Sequence, residues 1–185
     1  MEAAYREGVF PMGDERGDVY TWHKPVWRGV LPLDSFHISH SLTRTLRAHR
    51  YEMTVNRDFD GVVSACAAGR EVWISDGLKR AYTELHRRGK AHSVEIWADE
   101  RLAGGVYGIH LGGAFFAESK FHLVRDMSKI ALAELARRLW DRGFALLDVQ
   151  YWTPHLSQFG AQEISNREYQ RRLKEALRLD CRFAD

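Results

Sequence analysis

The feature that most constrains this chain is the glycine pair Gly112-Gly113, set between two apolar runs that admit polar groups only near their ends. The stretch from Gly104 to Gln150 reads GGVYGIHLGGAFFAESKFHLVRDMSKIALAELARRLWDRGFALLDVQ. Two strands meeting at a glycine turn form a hairpin, and the second runs into Glu118. A helix follows, with Ile130, Leu132, Leu135, Leu139 and Trp140 as its expected inner face and Gly143 as its stop. A further strand, Phe144–Gln150, then carries Asp148 and Gln150. Burying a carboxylate without a partner is costly, so Glu118, Asp148 and Gln150 at the ends of apolar strands mark a candidate site.

The flanking sequence supplies the remaining elements. Ser39 caps a helix to about Ala48, Tyr51–Val55 alternates like a strand, and Asp58 opens a helix that ends at Gly69. Ser75 or Asp76 opens another helix that stops at Gly89, and His92–Trp97 precedes the glycine hairpin as a third antiparallel strand. A short helical piece after Pro154, a strand at 161–164 and a helix over 167–179 close the chain. This order predicts an α+β protein whose mixed, mostly antiparallel sheet carries helices on both faces. Residues 1–38 read as a small aromatic-rich lobe of short strands and turns, and residues 39–185 as the main domain. The aromatics Phe10, Tyr20, Trp22 and Trp27 either cover the core or wall a ligand site.

With 185 residues, 45% of them hydrophobic, the chain can bury a real core. The N-terminus MEAAYREGVF does not read as a signal peptide, and no apolar run reaches the roughly 20 residues that span a bilayer. Two cysteines, Cys66 and Cys181, form neither a disulfide framework nor a metal site, which predicts a cytoplasmic protein. The nine histidines are scattered, and no metal is expected. A net charge of +2 does not announce a nucleic-acid binder. Basic residues still cluster at Arg44, Arg47, Arg50 and Arg57, and from Lys79 to Lys90, either as solvated helix faces or as a phosphate-contacting surface.

Asp148 and Gln150 stand two apart on a strand and project from one face. Asp148 can hold a proton at a partly desolvated carboxylate or simply satisfy neighbouring donors. Glu118 can serve the site or pair with Lys120 or Lys129. Trp73, between Val72 and Ile74, is core by default, and Trp22 can stack on a nucleobase or on the core. The P-loop, the G-x-S-x-G elbow and the G-x-G-x-x-G turn are absent.

Many short motifs, in order, resemble the bacterial leucyl/phenylalanyl-tRNA–protein transferases. They include FPM near the start, GV-x-PLD-x-FHIS at 29–39, WI at 73–74, AHSVE-x-W at 91–97 and LAGGVYG at 102–108. GGAFFAES-x-F at 112–121, SK-x-AL at 128–132, LLD-x-Q at 146–150 and FGA-x-EI at 159–164 continue the series. The resemblance implies the GNAT N-acyltransferase fold and transfer of an amino acid, leucine or phenylalanine, from the 3′ end of charged tRNA to the N-terminal amine of a protein beginning with Arg or Lys, which marks it for degradation. It implies no cofactor, since the aminoacyl ester is already activated, and a monomer is expected. By the same resemblance Gln150 contacts the attacking amine, Asp148 orients it and holds its proton, and Glu118 binds the cationic acceptor. Trp22 and Trp73 wall the terminal adenosine, and Phe115, Tyr107, Leu132 and Leu135 line the slot for the transferred side chain. The alternatives are a CoA-dependent N-acetyltransferase, disfavoured because LVRDMSKIAL lacks the glycines of a pyrophosphate loop, and a non-catalytic adaptor for tRNA ends or peptides. One departure stands out: where the family commonly has methionine or a similar apolar residue lining that slot, this chain has Lys120. An ammonium pointing inward would undercut a strict preference for leucine and phenylalanine; one that snorkels out or pairs with Glu118 would not.

Overall fold

A computed structural model describes residues 1–13, 20–48, 50–68 and 74–184. In chain order the described elements are α1 (Glu2–Arg6), β1 (Phe10–Gly13), β2 (Tyr20–His23), β3 (Trp27–Leu31), α2 (His40–Ala48), β4 (Glu52–Val55), α3 (Phe59–Ala67) and α4 (Asp76–Arg87). Then come β5 (Ala91–Ala98), β6 (Arg101–Leu111), β7 (Ala114–His122), α5 (Met127–Asp141), β8 (Leu146–Gln150), α6 (Pro154–Ser157), β9 (Gln162–Ser165) and α7 (Asn166–Ala176). The predicted Gly69 helix stop falls outside the described residues, as does Trp73.

Seven strands form one sheet in the order β4-β5-β6-β7-β8-β3-β9. All neighbours run antiparallel except β7 and β8, whose parallel pairing spans only Ala114–Phe116 against Leu146–Asp148. β1 and β2 make a separate two-stranded ribbon. The fold class is therefore the expected α+β arrangement with a mixed, mostly antiparallel sheet. Within the N-terminal stretch, however, β3 is not part of a lobe: it inserts between β8 and β9 in the main sheet. The aromatic composition of residues 1–38 gave no sign of so distant a pairing.

Strand alternation builds the core on both faces. Phe116 points with Tyr107, Ile109 and Leu146 toward α3, α4 and α7, while its neighbour Phe115 points with Val106, Ile96 and Leu147 toward α5. Both phenylalanines are fully buried. The helix stripe on α5 includes Ile130, Leu132, Leu135 and Leu139 as expected, but Trp140 is 56% exposed. It follows Leu139 by one residue, a step of about 100° around a helix of 3.6 residues per turn, and so leaves the buried stripe. Caps start two helices where the sequence places them, the side chains of Asp58 and Ser75 accepting from the Gly61 and Leu78 N–H groups, and Ser165 caps α7 by accepting from the Glu168 N–H.

The glycine turn also ties the sheet to α7. Gly112 has φ +60°, and a Cβ there would lie 2.9 Å from the Ala176 carbonyl oxygen. The Gly113 N–H donates to that same oxygen at 2.7 Å. Gly89 has a similar φ, +66°, but nothing lies within 4 Å of its missing side chain. Gly89→Ala is expected to cost only about 1 kcal/mol, the backbone penalty of a left-handed L-residue, and Gly112→Ala about 1–3 kcal/mol more, because it adds a core clash. Urea denaturation of both variants checks this; equal losses would show that the α7 contact is not tight.

Candidate active site

The parallel pairing of β7 and β8 stops at Phe116 and Asp148, and Glu118 and Gln150 lie two residues further along each strand. A cavity of about 320 Å³ opens where pairing ends. Its apolar wall is Val106, Ala117, Leu132, Val149 and Leu156, its polar groups include Glu118, Gln150, Lys120 and Thr153, and Phe10, Pro11 and Met12 of β1 close one side.

Gln150 is held by its main chain. Its φ is +58°, the Tyr151 N–H donates to the Val149 carbonyl at 2.7 Å, and the Gln150 N–H donates to Asp148 Oδ1 at 2.8 Å. A positive φ in a residue with a side chain is unusual and persists only where the surroundings enforce it. One enforcing contact is β3, where the register shifts between Gly29 and Val30. A Cβ on Gly29 would lie 2.6 Å from the Tyr151 carbonyl carbon, so only glycine lets β3 approach the turn this closely. The turn delivers the Gln150 amide to Glu118, with Nε2 donating to Oε1 at 3.3 Å.

Asp148 anchors the turn from beneath. It is 0% exposed and absent from the cavity wall. Oδ1 accepts from Arg28 Nε at 2.9 Å as well as from the Gln150 N–H, and Oδ2 accepts from Arg28 Nη2 and the Tyr169 hydroxyl, each at 2.6 Å. Those four bonds fill the acceptor capacity of a carboxylate. Arg28, 1% exposed, donates in addition to the Gly8 carbonyl at 2.9 Å and sits 4.5 Å from the ring centres of both Phe10 and Tyr169. Burial works against its charge, yet Asp148 holds the guanidinium protonated with its pKa above the ordinary range. The resemblance implies that Asp148 holds the substrate's proton; the structure places it with neither exposure nor a free lone pair, bonded to the Gln150 main chain.

Glu118 is the carboxyl that faces the cavity. The Tyr82 hydroxyl donates to its Oε2 at 2.8 Å. Desolvation pushes its pKa up to about 7, against the opposing pull of the Tyr82 and Tyr5 hydroxyls; Asp148 adds to the rise and Arg28 opposes it. Neither lysine considered from the sequence pairs with it: Lys129 bonds Asp126 at 2.9 Å, and no ion pair joins Lys120 to Glu118.

The remaining sequence candidates divide. Leu132 and Lys120 line the cavity. Phe115 and Leu135 are fully buried in the packing under α5, and Tyr107 faces the opposite layer, edge-on to Phe59 and Tyr82. These three support the wall from outside the slot, because each strand or helix position is either on the cavity face or off it. Trp22 is 45% exposed on β2, opposite Pro11 in the ribbon, and does not line the cavity; Met12 of β1 does. Trp73 lies outside the described residues. The sequence reading missed Arg28, Tyr169, Tyr82 and Tyr5. Arg28 carried the same signal as Asp148, a lone charge among apolar strand residues in VWRGVL. The tyrosines carried none.

Among the described residues, no group of three or more His, Cys, Asp or Glu side chains is placed to hold a metal, and no helix is long and apolar enough to cross a membrane. The profile of the family described as leucyl/phenylalanyl-tRNA protein transferase matches residues 30–174. A leucyl/phenylalanyl-tRNA–protein transferase of Ruegeria sp. (strain TM1040) is 54% identical over 175 residues, 94% of this chain and 83% of its own. That of Rubrobacter xylanophilus is 51% identical over 181 residues, 97% of this chain and 94% of its own. Among solved structures, a ribosomal-protein-alanine N-acetyltransferase from Brucella melitensis aligns with a TM-score of 0.43 and 14% identity, covering 58% of this chain and 84% of its own.

Arg28→Met strands the Asp148 carboxylate, and Asp148→Leu strands the guanidinium. Each is expected to lose about 3–5 kcal/mol of stability, whereas the double variant recovers a large part, since an apolar pair often replaces a buried ion pair at little cost. Denaturant unfolding of the four proteins measures the coupling; additive losses would show that the two side chains act independently.

Proposed function

Because the chain belongs to the leucyl/phenylalanyl-tRNA–protein transferase family, we propose that it transfers an aminoacyl group from charged tRNA to the N-terminal amine of a protein that begins with Arg or Lys. The observation that carries this reading is the pairing of a cavity-facing carboxyl, Glu118, with an amide, Gln150, beside an apolar wall. The amine is the nucleophile and the ester carbonyl its target. The new C–N bond forms as the ester C–O bond breaks, and the amine proton must reach the leaving ribose oxygen.

Glu118 is the group suited to carry that proton. With its pKa pushed up to about 7, the carboxylate takes a proton from the amine nitrogen as it adds to the ester carbonyl and delivers it to the leaving ribose oxygen within the working pH range. Ionised, it also attracts the cationic acceptor. Gln150 has no useful basicity, and its fixed amide positions the amine instead. Asp148 and Arg28 are positioning residues that hold the turn. The ester is activated before it arrives, so these residues need supply only alignment and proton transfer. Aminoacyl-tRNA would bring its terminal adenosine to the rim at Met12 and Trp22. Arg44, Arg47 and Arg50, all exposed, offer charge for tRNA phosphates. Charged tRNA and the reduced thiols Cys66 and Cys181 both fit the cytoplasm.

Two measurements test the reading. Incubation with Leu- or Phe-charged tRNA and a peptide beginning with Arg should lengthen the peptide by one residue; no transfer from any charged tRNA would defeat the proposal. The wild-type kcat should rise with pH through about 7, as Glu118 loses its proton, and again near pH 8, where an α-amine titrates. Glu118→Gln should lower kcat by about 10²–10⁴-fold, the usual contribution of a general base, and leave only the upper limb. A lower limb that survives in Glu118→Gln would assign it to another group. The same raised pKa has a consequence for stability: folded Glu118 binds more protons than the unfolded chain between about pH 4.5 and 7. Folding stability from this group is therefore lost as pH rises through that window, and Glu118→Gln should flatten the slope in denaturant titrations at pH 5, 6 and 7.

A further inference from the structure

The cavity has an unbalanced cation. Lys120 stands on β7 opposite Val106, whose side chain packs toward α5, and so shares the face that forms the apolar wall. It lines the cavity with Val106, Leu132 and Leu156 and is half-buried. No carboxylate of the described residues lies within 4 Å of it. Glu118 lines the same cavity without contacting it, and the Cys66 thiol of α3 exerts a field that favours its charge. The other titratable groups at this end are basic: burial, then the fields of Lys120, Lys129 of α5 and His122 of β7, hold the His155 imidazole of α6 below the ordinary range. Desolvation likewise lowers the Lys120 ammonium. An ammonium partly stripped of water, with no hydrogen-bond acceptor among the described residues, is satisfied by an acceptor brought by the ligand.

On the aminoacyl-transfer reading, the part of the substrate that meets this wall is the side chain of the transferred residue. With the ester carbonyl next to Glu118 and Gln150, the side chain has the apolar wall beside it and Lys120 among its neighbours. We propose that Lys120 turns this slot toward donors whose side chain ends in a carboxylate, glutamyl or aspartyl, and away from leucyl and phenylalanyl groups. The methylenes of an acidic side chain lie on Val106, Leu132 and Leu156, and its carboxylate takes the charge-assisted bond that the protein leaves open. A leucyl or phenylalanyl side chain fills the same wall but leaves the ammonium desolvated and unpaired. Sites built to hydrogen-bond a substrate group discriminate strongly against analogues that lack it.

The test charges one tRNA body by ribozyme acylation with Leu, Phe, Gln, Glu or Asp in turn. Transfer to a peptide beginning with Arg is followed by mass, for wild type, Lys120→Met and Lys120→Arg. Wild type should use an acidic donor at least about 10-fold better than Leu or Phe in kcat/KM, and Lys120→Met should reverse the order, moving the ratio by about 100-fold or more. Lys120→Arg should keep the acidic preference. Thermal melts establish that the variants are folded; if Lys120→Met fails to fold, the wild-type ranking alone decides. Transfer of Leu and Phe in preference to Glu and Asp, or equal use of all five, would overturn the assignment of Lys120 while leaving the aminoacyl-transfer reading intact. Transfer from no donor would overturn both.

Discussion

The buried pair Arg28–Asp148 is the contact on which the site depends. Two side chains 120 positions apart exchange two hydrogen bonds, at 2.9 and 2.6 Å, with essentially no exposure. An ion pair so far from water recovers its desolvation cost only if every remaining lone pair and proton is engaged. The surrounding structure meets that demand: the Gly8 carbonyl, the Tyr169 hydroxyl and the Gln150 N–H complete the set, while Phe10 and Tyr169 flank the guanidinium. One interaction thereby fastens the N-terminal segment, β3, β8 and α7 to each other. The left-handed turn at Gln150 is affordable because this framework is rigid.

The two carboxylates divide their work by environment rather than by chemistry. Asp148 is saturated with donors and serves as scaffold. Glu118 has a tyrosine hydroxyl and an amide, no cation in contact, and a face on the cavity. A carboxyl kept short of positive partners in a desolvated place has its proton affinity raised, which is the condition for useful proton transfer near neutrality. The shared strand ending that first marked both residues in the sequence thus leads to two opposite environments.

Local pattern made the sheet legible. The β5–β7 hairpins, the caps at Asp58 and Ser75, and the stripe of α5 follow from alternation, turn residues and helical spacing acting over a few positions. What lay hidden depends on distant pairing. β3 looks like part of an irregular aromatic lobe because its partners, β8 and β9, are more than a hundred residues away. Without that pairing, Arg28 has no visible counterion and Asp148 looks like the free base. The same gap explains the slot: the sequence shows that Phe115, Tyr107 and Leu135 are apolar and nearby, but not which faces of β6, β7 and α5 meet the cavity. Glu118, Gln150, Leu132 and Lys120 survive as cavity residues because their position past the end of a paired strand, or on the α5 stripe, is itself a local fact.

The insertion of β3 between β8 and β9 bears on how the protein is made. A chain emerging from the ribosome presents Trp27–Leu31 early, yet both neighbours of that strand come from the last third of the sequence. Until Gln150 is free, the strand has unpaired edges on both sides and an arginine with no counterion, and until Ser165 is free one edge stays open, states prone to misassociation. The framework around Arg28 can therefore close only once residues 146–169 have been made, and a chain cut short before them is left without it.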